Sequence, residues 1–432
     1  MTKTAGVALF LALVLEQAGW TQAQMPVFVG TNAKPVSQNP APDPDDTPES
    51  IAKDAERDVN ANRFYNKPGA TRAAFDSAWQ DCRLIARGSR TPSGTIFYNY
   101  DPAVMSPMAA GVGGALGGLI VGMIAEGDQR RANRRACLLI RGWRMVEPSA
   151  EQSAKLAAMR EPDRRAWFDE MIGADKVDGK ITERKSFTQL SDPAMNLDAA
   201  ITGTSSLYFG KKIPPETPLA LEPGEGAIVL AFRRSDPTSA GRHGGLVLAR
   251  YDIEKRELIY QPKDWKKKGD KTSYTRDIFS DDRKAGLEVQ IVRLTAGDYV
   301  LTSMGLGNVL MTGNCFGAPV FHVGAGEVLY IGDFIPFWGT KLSNGGKAFQ
   351  LSYTSHPEDS RNVIGRFQPE LARRMQLATW RNNATYGCGA VSMDRFDLPG
   401  AEPLPAMGAA SPAEKIDVPV DLLASDNVTG VS

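Results

Sequence analysis

The sequence predicts an α+β chain, with an N-terminal helical domain built around a glycine-lined helix, followed by an antiparallel β-sandwich. Between residues 108 and 126, small side chains recur at helical spacing. From about residue 224 the period changes to two, in short apolar runs punctuated by Gly, Pro and Asp. At 432 residues the chain is long enough for two or three cores. Lys and Arg (50) balance Asp and Glu (50), so there is no basic field and no support for nucleic-acid binding.

The first 23 residues read as a secretory signal peptide. Lys3 supplies the basic start, residues 5–15 the apolar run, and Thr21-Gln22-Ala23 a small-x-small cleavage site. Residues 24–70 read as a flexible linker, because the stretch from 26 to 48 is Pro-, Asn-, Gln-, Ser- and Asp-rich and cannot bury a core. The helical domain is expected over 71–147. It opens with an amphipathic helix over 71–87 that has Phe75, Trp79, Cys82 and Ile85 on one face. Residues 90–107 contain Pro92, Gly94, Pro102 and Pro107 and read as a loop.

In the glycine stretch, Ala110, Gly114, Gly118 and Gly122 recur every fourth position, and Ala109, Gly113 and Gly117 form a second row beside them. On a helix the two rows make a strip almost free of side chains, against which another backbone can pack closely. The six glycines from Gly111 to Gly122 cost about 6 kcal/mol in a water-exposed helix. The segment is therefore a packed or lipid-embedded helix, or else a loop. Its charge-free run of about eighteen residues lies at the lower limit for a membrane span. The following helix, over 128–143, carries Arg130, Arg131, Arg134, Arg135 and Arg141, either for anionic head groups or as a solvated face.

This repeat, with the ending Asn133-Arg-Arg-Ala-Cys137-Leu-Leu-Ile-Arg-Gly142-Trp143, resembles the glycine-zipper proteins of bacterial envelopes over residues 75–147. The resemblance implies envelope association and brings no catalytic residues. The four cysteines, Cys82, Cys137, Cys315 and Cys388, are an even number in a chain expected to be exported to an oxidising compartment. Of the three possible pairings, Cys82–Cys137 with Cys315–Cys388 keeps each bond within one domain. That pairing excludes a single membrane crossing between Cys82 and Cys137. Buried free thiols are the alternative.

Residues 148–190 read as a helical connector, with one helix over 150–171 that turns Leu156, Met159, Trp167 and Met171 inward. The sequence around Asp178-Gly179 fails as a calcium loop, because Ala174, Lys176 and Lys185 would occupy ligand positions. The sandwich is expected over 191–397. Its strand candidates are 227–233, 245–251, 257–261, 287–294, 299–304, 319–323, 327–331 and 349–353, and a covering helix follows over 369–381. The segments Val292-Arg-Leu-Thr-Ala-Gly297-Asp-Tyr299 and Val323-Gly-Ala-Gly326-Glu-Val-Leu-Tyr330 share a strand-turn-strand plan. Over about 225–340 the chain resembles the β-sandwich domains of uncharacterised bacterial envelope proteins and lipoproteins, which implies an interaction module. Residues 398–432 read as a disordered tail.

No nucleophile elbow, phosphate loop or metal-ligand spacing is present, and the three histidines, His243, His322 and His356, are scattered. The expected protein is thus non-enzymatic and periplasmic, with no cofactor or metal, and associated with the inner or outer membrane. Its expected partners are membrane lipid or copies of itself through the zipper, and an envelope protein or polymer through the sandwich. The alternative is an exported hydrolase or transferase acting on an envelope glycan, peptidoglycan or lipid, using some of Cys315, His322, Glu327 and Asp333.

Overall fold

The computed structural model describes residues 63–86, 126–183, 190–210, 213–307, 310–388 and 393–403. The predicted signal peptide, the linker up to residue 62, the glycine stretch with Ala109, Ala110, Gly113, Gly114, Gly117, Gly118 and Gly122, and the tail from 404 lie outside them.

The N-terminal unit is more mixed than the sequence suggests. Helix α1 (Arg72–Ala86) turns Phe75, Trp79, Cys82 and Ile85 inward as their spacing requires. It packs against α2 (Glu126–Ile140), and the Cys82–Cys137 disulfide joins the two helices with a Cα–Cα distance of 5.5 Å. A three-stranded antiparallel sheet of β1 (Phe64–Asn66), β2 (Arg144–Glu147) and β3 (Lys180–Thr182) accompanies them. Strand β1 corrects the linker boundary, since Phe64 and Tyr65 are buried and Tyr65 stacks on Phe75. The expected helix over 150–171 is two helices, α3 (Ala150–Ala158) and α4 (Glu161–Gly173). Pro162 lacks the N–H that a continuous helix needs, so the chain turns extended at Met159 and Arg160 before restarting.

Two of the arginines considered for lipid contact face the core. Arg134 is 1% exposed, with its guanidinium 4.9 Å from the Trp79 ring. Arg141 pairs with Asp81 at 2.8 Å and lies over the Phe316 ring. Stacking on an aromatic face offsets part of the loss of hydration.

The C-terminal unit consists of two sheets. The first runs β16 (Arg381–Thr385), β12 (Phe316–Val323), β10 (Gly297–Leu306), β6 (Gly245–Asp252), β7 (Glu257–Leu258), with β11 (Leu310–Gly313) on β10 and β8 (Thr275–Phe279) on β6. The second runs β14 (Lys347–Thr354), β13 (Val328–Lys341), β5 (Glu225–Arg233), β9 (Leu287–Thr295), β4 (Ser205–Tyr208), with β15 (Met375–Leu377) on β13. The first sheet is antiparallel throughout. The second is mixed, because β13 runs parallel to β5 and to β15, and β4 parallel to β9. The expectation of a purely antiparallel sandwich is corrected to that extent. The helix expected over 369–381 is also shorter. Only α6 (Pro369–Arg374), which follows α5 (Pro357–Gly365), is helical, and Met375 then joins the exposed edge of β13 opposite Val328.

Both sheets are covered on both faces. Ile228, Leu230 and Phe232 of β5 meet Leu248, Tyr299, Leu301 and Phe321 of the other sheet across the central core. The alternate residues Ala227, Val229 and Ala231 pack under Val363, Ile364 and Leu371 of α5 and α6. On the far side, Tyr251, Val300, Phe316, Ala318 and Val320 share a core with α1 and α2. Strand β5 is therefore apolar at almost every position instead of alternating. The second disulfide, Cys315–Cys388, has a Cα–Cα distance of 5.3 Å and lies in that same shared core, where the Cys388 N–H donates to the Ile85 carbonyl of α1 at 2.8 Å. Both cysteine pairs thus match the pairing kept within domains. Among the described residues no helix is long and apolar enough to cross a membrane.

The Cys82–Cys137 bond closes a sequence separation of 55 residues, which on chain-entropy grounds contributes about 4 kcal/mol. Cys82→Ala/Cys137→Ala is expected to lower unfolding free energy in denaturant by roughly that amount. An unchanged midpoint would mean that the bond does not constrain the unfolded chain.

Candidate functional site

A group of titratable side chains lies between the second sheet and the start of α5. It begins with an irregularity in β13. Tyr330 pairs with Val229 and Gly332 with Leu230, so Ile331 is an extra residue in the ladder. Residues three apart in a regular strand face opposite ways. The extra residue turns Tyr330 and Asp333 to the same side, and the Tyr330 hydroxyl donates to Asp333 Oδ1 at 2.6 Å. Gly332 is required at this bend, because its φ is 125° and a Cβ would lie 2.3 Å from the Tyr353 ring.

Asp333 is fully buried. His356, the residue before α5, donates its backbone N–H to the Tyr330 hydroxyl at 2.8 Å. Its Nδ1 lies 3.2 Å from Asp333 Oδ2, and its Nε2 lies 3.0 Å from Asp198 Oδ1. Arg233 of β5 completes the group. Its Nη1 is 2.6 Å from Asp359 and 3.7 Å from Asp333, and its Nη2 donates to the Ala199 carbonyl at 2.9 Å. The cluster ties together β5, β13, α5 and the segment around Asp198.

The charges are set by this geometry. The hydrogen bond to Asp333 holds the His356 imidazolium above its ordinary range, against partial burial and the Arg233 charge. Burial pushes the Asp333 carboxyl up, opposed by the bonds from His356 and Tyr330 and by Arg233. Burial and the nearby Asp333 also raise the Tyr330 and Tyr353 hydroxyls, Tyr353 to about 12. An imidazole aligned by a buried carboxylate on one nitrogen, with the other facing a solvent-exposed carboxylate, can hold or pass a proton at the protein surface.

The residues singled out for an enzymatic role do not converge. Cys315 is bonded to Cys388 and has no thiol. His322 is exposed on β12, 3.1 Å from Asp298. Glu327 closes its own turn by accepting from the Gly324 N–H at 2.7 Å. Of that set only Asp333 meets a histidine, and it is His356. Sequence reasoning missed His356 because the two residues lie 23 positions apart and the strand irregularity at Ile331 decides which way Asp333 faces.

Asp333→Ala strips the shared acceptor from Tyr330 and His356 and leaves a buried guanidinium less compensated. It is expected to cost about 3–5 kcal/mol in denaturant unfolding. The His356 value is raised on folding from 6.5. Its protonation therefore contributes stability that is complete below about that pH and is lost as pH rises through the raised folded value. His356→Asn should be less stable than the parent on the acid side, with the difference shrinking as pH rises. A pH-independent difference would show that the imidazolium charge is not the source.

No protein-family model, curated protein or solved structure matches this chain.

Proposed function

We propose that the chain is a non-enzymatic cell-envelope protein, exported and membrane-associated through its glycine-zipper segment, that presents its two-sheet unit as an interaction module in the periplasm. The carrying observation is the junction between the two parts. Cys82–Cys137 joins the helices on either side of the glycine stretch, and that helix pair shares a core with the outer face of the first sheet. Attachment through residues 108–126 is then transmitted to the sheets through packed side chains. The same bond puts both ends of the stretch on one side of any membrane, so the proposal is for insertion and return, packing in the membrane plane, or self-association, and not for a single crossing. Two buried disulfides favour an oxidising compartment.

The exported hydrolase or transferase remains the second reading because of the Asp333–His356 pair alone. Under it, His356→Asn abolishes turnover of an envelope glycan, peptidoglycan or lipid; under the first reading the variant changes stability only.

Fractionation of cells carrying the untagged full chain tests the proposal. Its cysteines should resist alkylation until reduced, and the protein should sediment with membranes or cross-link to copies of itself. Replacing Gly114 and Gly118 with Leu should lower the cross-linking signal severalfold, because the larger side chains block close backbone approach. A parent chain that stays unassociated, or cysteines alkylated without reduction, would refute the reading.

A further inference from the structure

The geometry points to a second, independent contact with the membrane: the tip of the β13–β14 hairpin, with the neighbouring Arg242, is a docking surface for an anionic lipid bilayer. The inference rests on the reading of the protein as membrane-associated and adds a site in the described fold.

The surface is built by strand register. Trp338 is paired with Phe349, and Lys341 with Lys347. On β14, Lys347, Phe349 and Leu351 are two apart and share a face. Leu351 is 1% exposed in the core between the sheets, Phe349 is 39% exposed at its rim, and Lys347 is exposed beyond it. On β13 the register shifts between Trp338 and Thr340, at Gly339 with φ 73°. The extra residue puts Lys341 on the same side as Trp338, although the two are three apart. The inner face of the hairpin therefore runs out of the core into two aromatic rings and then into two lysines.

Two features of this surface are not explained by folding. Trp338 is 40% exposed and meets Phe349 edge to face at 5.3 Å, a large apolar pair left in water. Lys341 and Lys347 are like charges directly opposite each other, an arrangement that destabilises a sheet. Arg242, exposed in the connection from β5 to β6, adds a third cation 4.6 Å above the Trp338 ring. Among the described residues none of the three cations has a carboxylate within ion-pair distance. Two acids nearby bond to neutral groups and not to these cations. Asp192 accepts from the Ser343 N–H and hydroxyl, and Asp236 from the Thr238 N–H and hydroxyl.

Exposed aromatic rings backed by uncompensated cations match the chemistry of a bilayer surface, where rings settle among the head groups and Lys and Arg meet anionic lipid. A sugar polymer fits less well. Its rings need a flat free platform, whereas Trp338 carries a guanidinium over its face and Phe349 stands at 84° to it.

Sedimentation of the full chain with vesicles tests this, using phosphatidylcholine alone and phosphatidylcholine mixed with phosphatidylglycerol. The parent should bind the anionic vesicles more tightly, and the excess should fade with added salt. Lys341→Gln/Lys347→Gln should lower partitioning on to anionic vesicles roughly thirty-fold, at about five-fold per cation, and leave binding to neutral vesicles unchanged. Trp338→Ser/Phe349→Ser should weaken anionic-vesicle binding as well, and both variants should keep the parent's circular dichroism at the binding temperature, so that the loss is not one of folding. Gly114→Leu/Gly118→Leu should keep the salt-sensitive component, which separates failure of the hairpin site from failure of the zipper. Parent-like binding by the lysine variant would overturn the inference. So would capture of the parent by soluble dextran sulfate without preference for anionic vesicles.

Discussion

The rest of the structure depends on the packing of a disulfide-joined helix pair on to the outer face of the first sheet. Without α1 and α2, that face would expose Tyr251, Phe316, Ala318 and Val320 to water as one apolar patch. Without the sheet, the helices would have no floor for Cys82, Trp79 and Ile85. The Cys388–Ile85 hydrogen bond and the second disulfide sit in this seam, so covalent, polar and apolar terms coincide there. Small sheets with two apolar faces must be covered twice, and this chain uses helices from before the two sheets for one face and helices inserted between β14 and β15 for the other.

A buried ionic cluster is costly unless its partners are all in place. Here the partners come from β5, β13, α5 and the segment around Asp198, so the cluster is complete only when α5 has docked. Two register shifts in β13 shape what this strand offers. The one at Ile331 aligns Tyr330 with Asp333 inside the fold, and the one at Gly339 aligns Trp338 with Lys341 outside it. One long strand thus serves an internal polar network and an external apolar rim.

Much of this was legible in the sequence, and for particular reasons. The period of Phe75, Trp79, Cys82 and Ile85 defines the buried face of α1 without knowledge of its neighbours. The cysteine pairing followed from keeping each bond within one unit. The apolar run of β5 identified a strand, although not that both its faces are covered. What was not legible depends on tertiary context. Strand β1 is too short to show a period, and Met375 leaves its helix because an open strand edge lies beside it. Arg134 looks solvent-facing by type and is buried because Trp79 covers it. His356 and Asp333 meet through a single inserted residue that no spacing rule anticipates. The Gly-rich stretch, the most distinctive feature of the sequence, lies outside the described residues.

The Cys82–Cys137 bridge also determines what a protease would leave behind. A cut anywhere between those two positions opens the chain but releases nothing, because the halves stay covalently joined and packed in one core. A nicked molecule would migrate as intact until reductant is added, and would keep its fold after losing continuity in that region. The stretch between the two cysteines can therefore be cut without shedding the sheets that follow it.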